Sequence, residues 1–272
     1  MKSPLLRFTL LLVVMPLSLC GTSSLHAQTP AMPGSSQSLY SGTTVVAFRT
    51  PDNIYVAADS RITSTSNPRE FRSYCKIRQV GSTFFAFAGI AEFYPTGFNL
   101  ADLTATACKS QGTVFEKASE LERLVKPPLE KIMRFLHAGN QGKQAIPTSY
   151  DIGVVLCAVE NGVPVMAVRK FIPTFSRPRF DSIYVDRVDC PGPTVAVNGT
   201  FLAMLGHREV VRLHLRDKSL FARGIVPGIR RLVQYEIDAN PLAVGPPIDI
   251  LSIGKTSFQW IGRKPECFGQ DE

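Results

Sequence analysis

The chain has 272 residues, of which 44% are hydrophobic and 19% are charged. This balance excludes intrinsic disorder and is sufficient for the core of one large domain or two small ones. The net charge of +8 is spread along the sequence, so we predict no nucleic-acid partner.

The first 27 residues have the layout of a secretory signal peptide. Lys2 and Arg7 precede a 12-residue apolar run, Phe8 to Leu19, and a short stretch of mostly small and polar residues ends at Ala27. The run is shorter than the roughly 20 residues that a membrane-spanning helix needs. We therefore expect residues 1–27 to be removed, leaving an exported protein, periplasmic or extracellular, without a stable membrane anchor.

Two alternatives concern this leader. One is an anchor that is not cleaved, against which Pro16 within the apolar run argues. The other is a lipoprotein attached at Cys20, against which the bulky Leu19 before it argues.

Residues 28–42 are uncharged and rich in Ser, Pro and Gly. This composition is typical of a flexible linker that is not part of the core. We predict a linker or propeptide over residues 28–42 and one folded domain over residues 43–272.

Strand patterns dominate the first part of this domain. Two β-rich runs, Thr43 to Arg49 and Ile54 to Ala58, lie on either side of a turn at Pro51-Asp52-Asn53. A second pair of strands is predicted at Lys76–Val80 and Phe84–Ala88.

Helical and strand patterns alternate in the rest of the chain. Apolar residues recur at helical spacing from Val114 to His137, and Pro127-Pro128 is predicted to break or kink this segment into two helices. Strands at Ile152–Val159 and Val163–Ile172 are predicted to form a hairpin. The remaining predicted elements are a strand at Thr194–Val197, helices at Phe201–Leu215 and Ile225–Ile237, and strands at Ile248–Ile253 and Ser257–Ile261. Strands at both ends with helices grouped between them predict an α+β layered fold.

Cysteine and histidine spacing gives no metal signature. The cysteines after the leader are Cys75, Cys108, Cys157, Cys190 and Cys267, and no two of them form a CxxC pair. The four histidines also lack ligand spacing, so no metal site is predicted. In an exported protein some cysteines can form disulfides, but an odd number leaves the pairing open. Burial as small apolar side chains is the other interpretation.

A stripe of arginines lies within and just beyond the predicted helix Phe201–Leu215. The i,i+4 spacing of Arg208, Arg212 and Arg216 favours a solvated helix face, with a subunit contact as the alternative. His207 and His214 are predicted near that face, without a third ligand.

The first strand pair carries residues that suggest chemistry. Gly42-Thr43-Thr44 is followed by a strand, a turn and Ala57-Ala58-Asp59-Ser60-Arg61. Cys75-Lys76-Ile77 and Phe87-Ala88-Gly89 come next. This series resembles the start of the 20S proteasome β subunit and its bacterial relatives, the N-terminal-nucleophile (Ntn) threonine peptidases. The later Val197-Asn198-Gly199-Thr200 resembles the Gly-Ser-Gly turn of that family, and Gly245 to Ile250 resembles its final strand.

The resemblance runs from Thr43 to about Ile261 and implies both a fold and an activity. The implied fold is the four-layer αββα Ntn-hydrolase sandwich. The implied activity is that of an exported threonine-type endopeptidase or amide hydrolase that needs no cofactor and acts on peptides or unfolded proteins. Because the family forms rings, a homo-oligomer is implied as well.

The roles of individual residues are also carried over from this resemblance. Thr43 is the implied nucleophile, with its own amine as the base, because a free α-amine with a pKa of about 7.7–8.0 is partly neutral near pH 7. Lys76 would lower the cost of the oxyanion, and Asp59 would pair with Lys76. Arg61 would brace the Asp59 loop, and the N–H of Gly89 would donate to the oxyanion.

The chemistry requires a cleavage between Gly42 and Thr43. While Thr43 is joined to Gly42, its nitrogen is an amide without a basic lone pair. We therefore predict that the protein removes residues 28–42 itself. Glycine suits the junction because the absent side chain lets the Thr43 hydroxyl approach the preceding carbonyl.

The chain departs from the family pattern in the residues that orient the amine. Asn198 stands where the family commonly has serine, although its amide can still hydrogen-bond an amine. Asp238 is the closest match to the family's aspartate, and Val244 lies near the position of a second serine. Residues Ile90 to Gly112 resemble an insertion after the catalytic glycine, of the kind that often covers an active site.

Substrate preference is predicted from Phe87. In the family, the residue two before the catalytic glycine helps to form the specificity pocket. An aromatic ring there predicts small or apolar side chains beside the scissile bond, because a charged group would lose its hydration.

Each of these residues also has an ordinary structural interpretation. Thr43 is a β-former, Asp59 and Arg61 could form a surface ion pair, and Lys76 could be a solvated strand position. The alternative function is a non-catalytic scaffold or binding module with the proteasome fold. A third possibility is an amidase for a non-peptide substrate.

Overall fold

Alternating apolar side chains organise the chain into three antiparallel sheets. The computed structural model describes residues 39–269 except 66, 68, 140–150, 177–178, 193–194 and 218. The strands are β1 (Leu39–Ser41), β2 (Thr44–Arg49), β3 (Asn53–Ala58), β4 (Arg61–Ser64), β5 (Phe71–Ser73), β6 (Ile77–Val80), β7 (Thr83–Ala88), β8 (Glu92–Phe93), β9 (Phe98–Asn99), β10 (Ile152–Glu160), β11 (Val163–Ser176), β12 (Arg179–Cys190), β13 (Phe201–Gly206), β14 (Asp249–Gly254) and β15 (Phe258–Gly262). The helices are α1 (Leu100–Lys109), α2 (Val114–Gly139), α3 (Glu209–His214) and α4 (Ile225–Ala239).

The strands form three sheets of five strands each. Sheet I has the order β5-β4-β1-β8-β9, sheet II the order β13-β2-β3-β14-β15, and sheet III the order β12-β11-β10-β7-β6. The described residues belong to one compact unit. Within the described part of that unit, no helix has both the length and the apolar character needed to cross a bilayer.

The two-residue period of the strands divides the core into three apolar clusters. Along β7, Phe84 and Ala86 belong to a cluster shared by sheets II and III, whereas Phe85 and Phe87 belong to a second cluster with α1 and α2. On β2, Val46 belongs to a third cluster with α3 and α4. Sheets II and III therefore share one apolar face and bury their other faces against helices.

Most of the predicted strands and the predicted helix Ile225–Ile237 are confirmed to within a few residues. β2, β3, β6, β7, β10, β11, β14, β15 and α4 correspond to predicted segments. The hairpin between β10 and β11 turns at Asn161 and Gly162, which both have positive φ (51° and 74°). This is the conformation that a two-residue Asn-Gly turn favours.

The prediction that the proline pair divides the long helix is wrong. α2 continues through Pro127 and Pro128. Leu121 and Val125 before the pair, and Leu129 after it, are fully buried in one cluster. Burial of this stripe on both sides of the prolines explains why the helix continues despite the lost N–H donors.

The prediction of one helix over Phe201–Leu215 is also wrong. The first part is strand β13, which pairs with β2 from Phe201 opposite Arg49 to Gly206 opposite Thr44. Only Glu209–His214 is helical. A short apolar run does not distinguish strand from helix, and here the free edge of β2 determines the outcome. Of the predicted strand Thr194–Val197, residues 195–197 are not in a strand, and Thr194 lies outside the described residues.

The prediction that residues 28–42 lie outside the core is wrong for their last part. Leu39 and Tyr40 are 2% and 1% exposed. β1 pairs with β4 on one side and with β8 on the other, so it is the middle strand of sheet I. The amino-acid composition did not indicate strand β1, because its pairing with β4 and β8 uses backbone groups. Residues 1–38, which include the predicted signal peptide, lie outside the described residues.

The segment Ile90–Gly112 is ordered structure built around β1. It contributes β8 and β9 to sheet I and then forms α1. The N–H of Ala91 donates to the carbonyl of Tyr40 at 2.9 Å. This segment therefore forms one wall of the groove that holds β1.

A disulfide connects the end of the chain to the segment before Lys76. Cys75 bonds to Cys267, 192 residues later, whereas Cys108, Cys157 and Cys190 are buried free thiols. Two further contacts join the same segments: Ser73 Oγ donates to Glu266 Oε1 at 2.9 Å, and Lys264 Nζ donates to the carbonyl of Tyr74. We call these three contacts the C-terminal clasp.

Removing the disulfide should lower the free energy of unfolding. For the double variant Cys75→Ser/Cys267→Ser we expect a loss of about 3–5 kcal/mol, because the crosslink restricts a very long loop of the unfolded chain. Urea unfolding without reductant measures this. Reductant should destabilise the wild type and Cys157→Ala, but not the double variant. Equal wild-type midpoints with and without reductant would contradict the pairing.

Candidate functional site

The Gly42–Thr43 peptide bond lies between β1 and β2, beside a cavity of about 170 Å³. Gly42 adopts a φ of +103°, and a Cβ there would come within 2.5 Å of the Ala243 carbonyl oxygen. Only glycine therefore fits at this junction without displacing the backbone. Gly206, the last residue of β13, and His207, which follows it, also line the cavity.

The hydroxyl of Thr43 lies against the bond that the sequence predicts to be cleaved. Its Oγ1 donates a hydrogen bond to the carbonyl oxygen of Gly42. The next residue is held on both sides, since Thr44 N–H donates to Asp59 at 2.8 Å and Thr44 Oγ1 donates to the His207 carbonyl at 2.9 Å. The His207 N–H in turn donates to the Thr43 carbonyl at 2.8 Å. Thr43 is 1% exposed, so its contacts are with other protein atoms and not with solvent.

Asp59 and Lys76 form a buried ion pair beside this hydroxyl. Lys76 Nζ lies 2.8 Å from Asp59 Oδ1, and both side chains are completely buried. Lys76 Nζ also donates to the Arg61 carbonyl and, at 3.4 Å, to the Gly42 carbonyl. All three partners are acceptors, which fits an ammonium with three N–H groups. The ammonium of Lys76 thus reaches the carbonyl oxygen of Gly42.

Burial and neighbouring charges set the proton affinity of Lys76. Burial is the largest influence and lowers its pKa from 10.5 to about 8. The carboxylates of Asp59 and Asp249 oppose this shift, whereas the ammonium of Lys264 adds to it. Lys264 is itself buried against Asp249, with its N–H 2.9 Å from Oδ1 and its Nζ 3.8 Å from Oδ2. A second buried ion pair therefore influences the first.

Arg61 stabilises the Asp59 loop through both its backbone and its side chain. Its N–H donates to Asp59 Oδ2 at 2.9 Å, and its carbonyl accepts from Lys76. Its guanidinium donates to the Pro241 carbonyl and lies 4.2 Å from the ring centroid of Phe71. The side chain thereby joins the Asp59 loop to the segment that leads to Gly245.

Gly89, the predicted oxyanion donor, lines the same cavity as Thr43. It has a φ of +98°, and a Cβ there would come within 2.2 Å of the Asp151 carbonyl oxygen. Asp151 also faces the cavity and pairs with Arg208 at 3.7 Å. Burial raises the pKa of Asp151, and Arg208 opposes that shift. One wall of the cavity therefore carries charges of both signs.

Three of the predicted site residues do not reach Thr43. Asn198 is exposed near the far end of β13, where Arg49 donates to the carbonyls of Val197 and Gly199. The length of β2, about 17 Å, separates that end from Thr44. Asp238 is exposed on α4 and accepts from Gln234 at 2.7 Å.

Phe87 is the third of these residues, and its predicted position in a substrate pocket is wrong. It is fully buried and packs against Tyr74 and Phe85 in the cluster with α1 and α2. The pleat of β7 directs this ring away from the cavity.

The sequence predicted Asn198 beside the Thr43 nitrogen, but His207 and Arg208 are the residues near Thr43. They follow β13 directly and line the cavity with Thr43 and Gly89. The signal that could have found them is Gly206 after a short apolar run, which fits a strand followed by a turn. The helical interpretation of Phe201–Leu215 concealed that signal.

Within the described ranges, no group of three or more His, Cys, Asp or Glu side chains could hold a metal ion. No protein-family model matches the chain, and a search of curated proteins gives no match.

The ion-pair geometry predicts opposite pKa shifts in two variants. Asp59→Asn should lower the pKa of Lys76 below about 8, because the carboxylate raises it, and Lys264→Met should raise it, because a like charge is removed. NMR titration of ¹³Cε-labelled lysine measures both values, and Lys76→Arg identifies the resonance. A wild-type Lys76 that titrates near 10.5 would contradict this description of the site.

Proposed function

We propose that this protein is an exported, self-processing threonine peptidase or amide hydrolase in which Thr43 becomes an N-terminal nucleophile. The observation that carries this proposal is the meeting of two groups at the Gly42 carbonyl: the Thr43 hydroxyl and the Lys76 ammonium. The three apolar clusters support a four-layer αββα Ntn-hydrolase sandwich, with α1 and α2 outside sheet III and α3 and α4 outside sheet II.

The first reaction is the cleavage of the chain by itself. Thr43 Oγ gives up its proton and attacks the carbonyl carbon of Gly42, and the C–N bond to Thr43 breaks as the nitrogen takes up one proton, so that the proton count is unchanged. This produces an ester between Gly42 and Thr43 Oγ and a free amine on Thr43. One water then hydrolyses the ester, releasing the carboxylate of Gly42 and restoring the hydroxyl.

Lys76 stabilises the charge that develops in this step. During the attack the Gly42 carbonyl oxygen becomes an oxyanion, and Lys76 Nζ is 3.4 Å from it before the reaction. Loss of a single oxyanion donor typically costs about 2.7–4 kcal/mol in activation free energy. Asp59 keeps Lys76 protonated and in place, so the pair acts as one unit.

The second reaction uses the amine that the first one uncovers. The α-amine of Thr43, with an ordinary pKa of about 7.7–8.0, accepts the hydroxyl proton as Thr43 attacks a substrate carbonyl. Water later completes the hydrolysis of the acyl-enzyme.

The departure of β1 favours extended peptides as substrates. Once residues before Thr43 leave, the facing backbone groups of β4 and β8 lose the partner strand between them. An extended segment of another chain can pair with those groups in the same way. Peptides and unfolded polypeptides are therefore the proposed substrate class.

A non-catalytic protein with the same fold is the second candidate. The positions of Asn198 and Asp238 away from Thr43 favour it, because neither can orient the amine. It predicts a chain that keeps residues 28–42 and hydrolyses nothing.

The state of the N-terminus separates the two candidates. We expect the purified wild type to begin at Thr43, after removal of the leader near Ala27 and self-cleavage after Gly42. Thr43→Ala should fold, keep residues 28–42 and lose all hydrolysis, whereas Thr43→Ser keeps a hydroxyl and should still be processed. Intact-mass analysis measures each product. A wild type that begins near Gln28 and is fully active would defeat the mechanism.

Hydrolysis by the processed protein should have a narrow pH optimum near 8. Activity rises as the Thr43 amine loses its proton, with an ordinary pKa of about 7.7–8.0. It falls as pH increases through about 8, because the neutral form of Lys76 no longer stabilises an oxyanion. Initial rates on one fluorogenic peptide between pH 5 and 10 measure both limbs, whose apparent pKa values belong to the coupled pair. A rate that stays constant from pH 8 to pH 10 would exclude the ammonium form of Lys76 as the active one.

A further inference from the structure

We propose that the pocket around Tyr40 is a specificity subsite that selects a tyrosine at the third residue before the scissile bond. This inference rests on the proposed function, because the pocket opens only when the residues before Thr43 leave. Gly42 and Ser41 are the first and second residues before the bond, and Tyr40 is the third.

The occupant and the walls of this pocket lie on opposite sides of the cleavage point. Tyr40 is 1% exposed and belongs to β1. Its side chain contacts Glu70, Arg72 and Tyr94, which all follow Thr43 in the chain. Self-cleavage therefore turns a contact within the core into a pocket that another tyrosine can fill.

The walls are shaped for an aromatic ring. The Arg72 guanidinium carbon lies 4.3 Å from the Tyr40 ring centroid, which is the position of a cation–π contact. The Tyr94 ring meets Tyr40 edge-on, with centroids 5.8 Å apart and planes at 87°. A flat ring satisfies both contacts together, whereas an aliphatic side chain satisfies neither.

The end of the pocket recognises a phenol hydroxyl. Tyr40 Oη donates to Glu70 Oε1 and accepts from Arg72 Nη2 at 3.0 Å. The hydrogen bond to Glu70 is the largest cause that raises the pKa of Tyr40, so the hydroxyl keeps its proton and remains a donor. Phenylalanine would fill the ring site but leave Glu70 and Arg72 without these partners.

Arg72 is held by residues that remain after cleavage. Its Nη1 donates to Tyr94 Oη at 2.6 Å and lies 3.6 Å from Glu92 Oε2. The wall is therefore supported by contacts that do not involve Tyr40, and less ordering is required when a substrate binds.

The strand register brings a substrate's third residue to this pocket. Tyr40 lies opposite Ser64 of β4 and Glu92 of β8, and its carbonyl accepts from Ala91 N–H at 2.9 Å. Because register determines which side chain enters each position, a substrate paired in the same way presents its third residue to Arg72.

Hydrolysis of three matched peptides tests the subsite. The processed protein is given acetyl-Leu-X-Ser-Gly-aminomethylcoumarin with X as Tyr, Phe or Ala. We expect kcat/KM for Tyr to exceed that for Phe by about tenfold, and Ala to be slower still. Glu70→Gln should reduce the preference of Tyr over Phe, and Arg72→Ala should reduce that of Tyr over Ala. Arg134→Ala is the matched control, because it removes an arginine 5.7 Å from the Phe180 ring and should leave both preferences unchanged.

A binding measurement separates failure of the subsite from failure of the proposed hydrolase. Calorimetry compares the product peptide acetyl-Leu-Tyr-Ser-Gly, as the free acid, with its Ala counterpart on the same processed protein. If no peptide is hydrolysed but binding depends on tyrosine and on Arg72, the subsite is supported and the hydrolase is not. Equal hydrolysis of all three peptides overturns the subsite alone. Absence of both hydrolysis and tyrosine-dependent binding overturns the subsite, and a wild type that is never cleaved after Gly42 overturns both.

Discussion

The buried carboxylate of Asp59 is the interaction on which the site depends. It accepts hydrogen bonds from Lys76 Nζ and from the backbone N–H groups of Thr44, Arg61 and Gly245. These donors come from four separate parts of the chain: the start of β2, the start of β4, the residue before β6, and the segment between α4 and β14. One buried anion therefore sets the position of β2, which follows Thr43, and of the Lys76 ammonium. Because a carboxylate in an apolar interior must be fully hydrogen-bonded, the four segments can hardly move independently of one another.

Residues near the C-terminus hold the segment that leads to Lys76. The C-terminal clasp joins Ser73, Tyr74 and Cys75 to Glu266, Lys264 and Cys267, directly before Lys76. Lys264 also brings a second ammonium into the interior, where the Asp249 carboxylate balances it. Such an arrangement is costly to bury. Burial is the main cause that lowers the pKa of Lys76 to about 8, and the Lys264 ammonium adds to this shift. Residues close to the C-terminus thus influence the proton affinity of a group near the start of the folded domain.

The sequence predicted which short, spaced motifs the fold brings together, and the prediction was wrong where tertiary pairing determines the position of a residue. Thr43, Asp59 and Lys76 meet as expected, because each lies at the end of a strand that its own pattern identifies. Asn198 and Asp238 are predicted only by resemblance to family positions, and strand pairing and helix packing place both away from Thr43. β1 was missed because its pairing uses backbone groups, which leave no mark in composition. For Phe87, the prediction gave the correct strand but the wrong face, since the two faces of β7 are both apolar.

Under the proposed function, the residues before Thr43 have two uses that conflict, and the proposed cleavage after Gly42 resolves the conflict. As part of the chain, β1 completes sheet I, and its covalent attachment gives it a high effective concentration in the groove. After cleavage the same strand binds only as a separate peptide, so it dissociates on dilution and leaves the edges of β4 and β8 unpaired. Unpaired strand edges ordinarily invite association with other chains. In the proposed enzyme that tendency becomes useful, because the edges would lie beside the new amine of Thr43, and a chain that pairs with them would bring its own carbonyl to the proposed nucleophile. We therefore propose that the contacts that hold β1 in sheet I are the contacts that recruit substrates after cleavage.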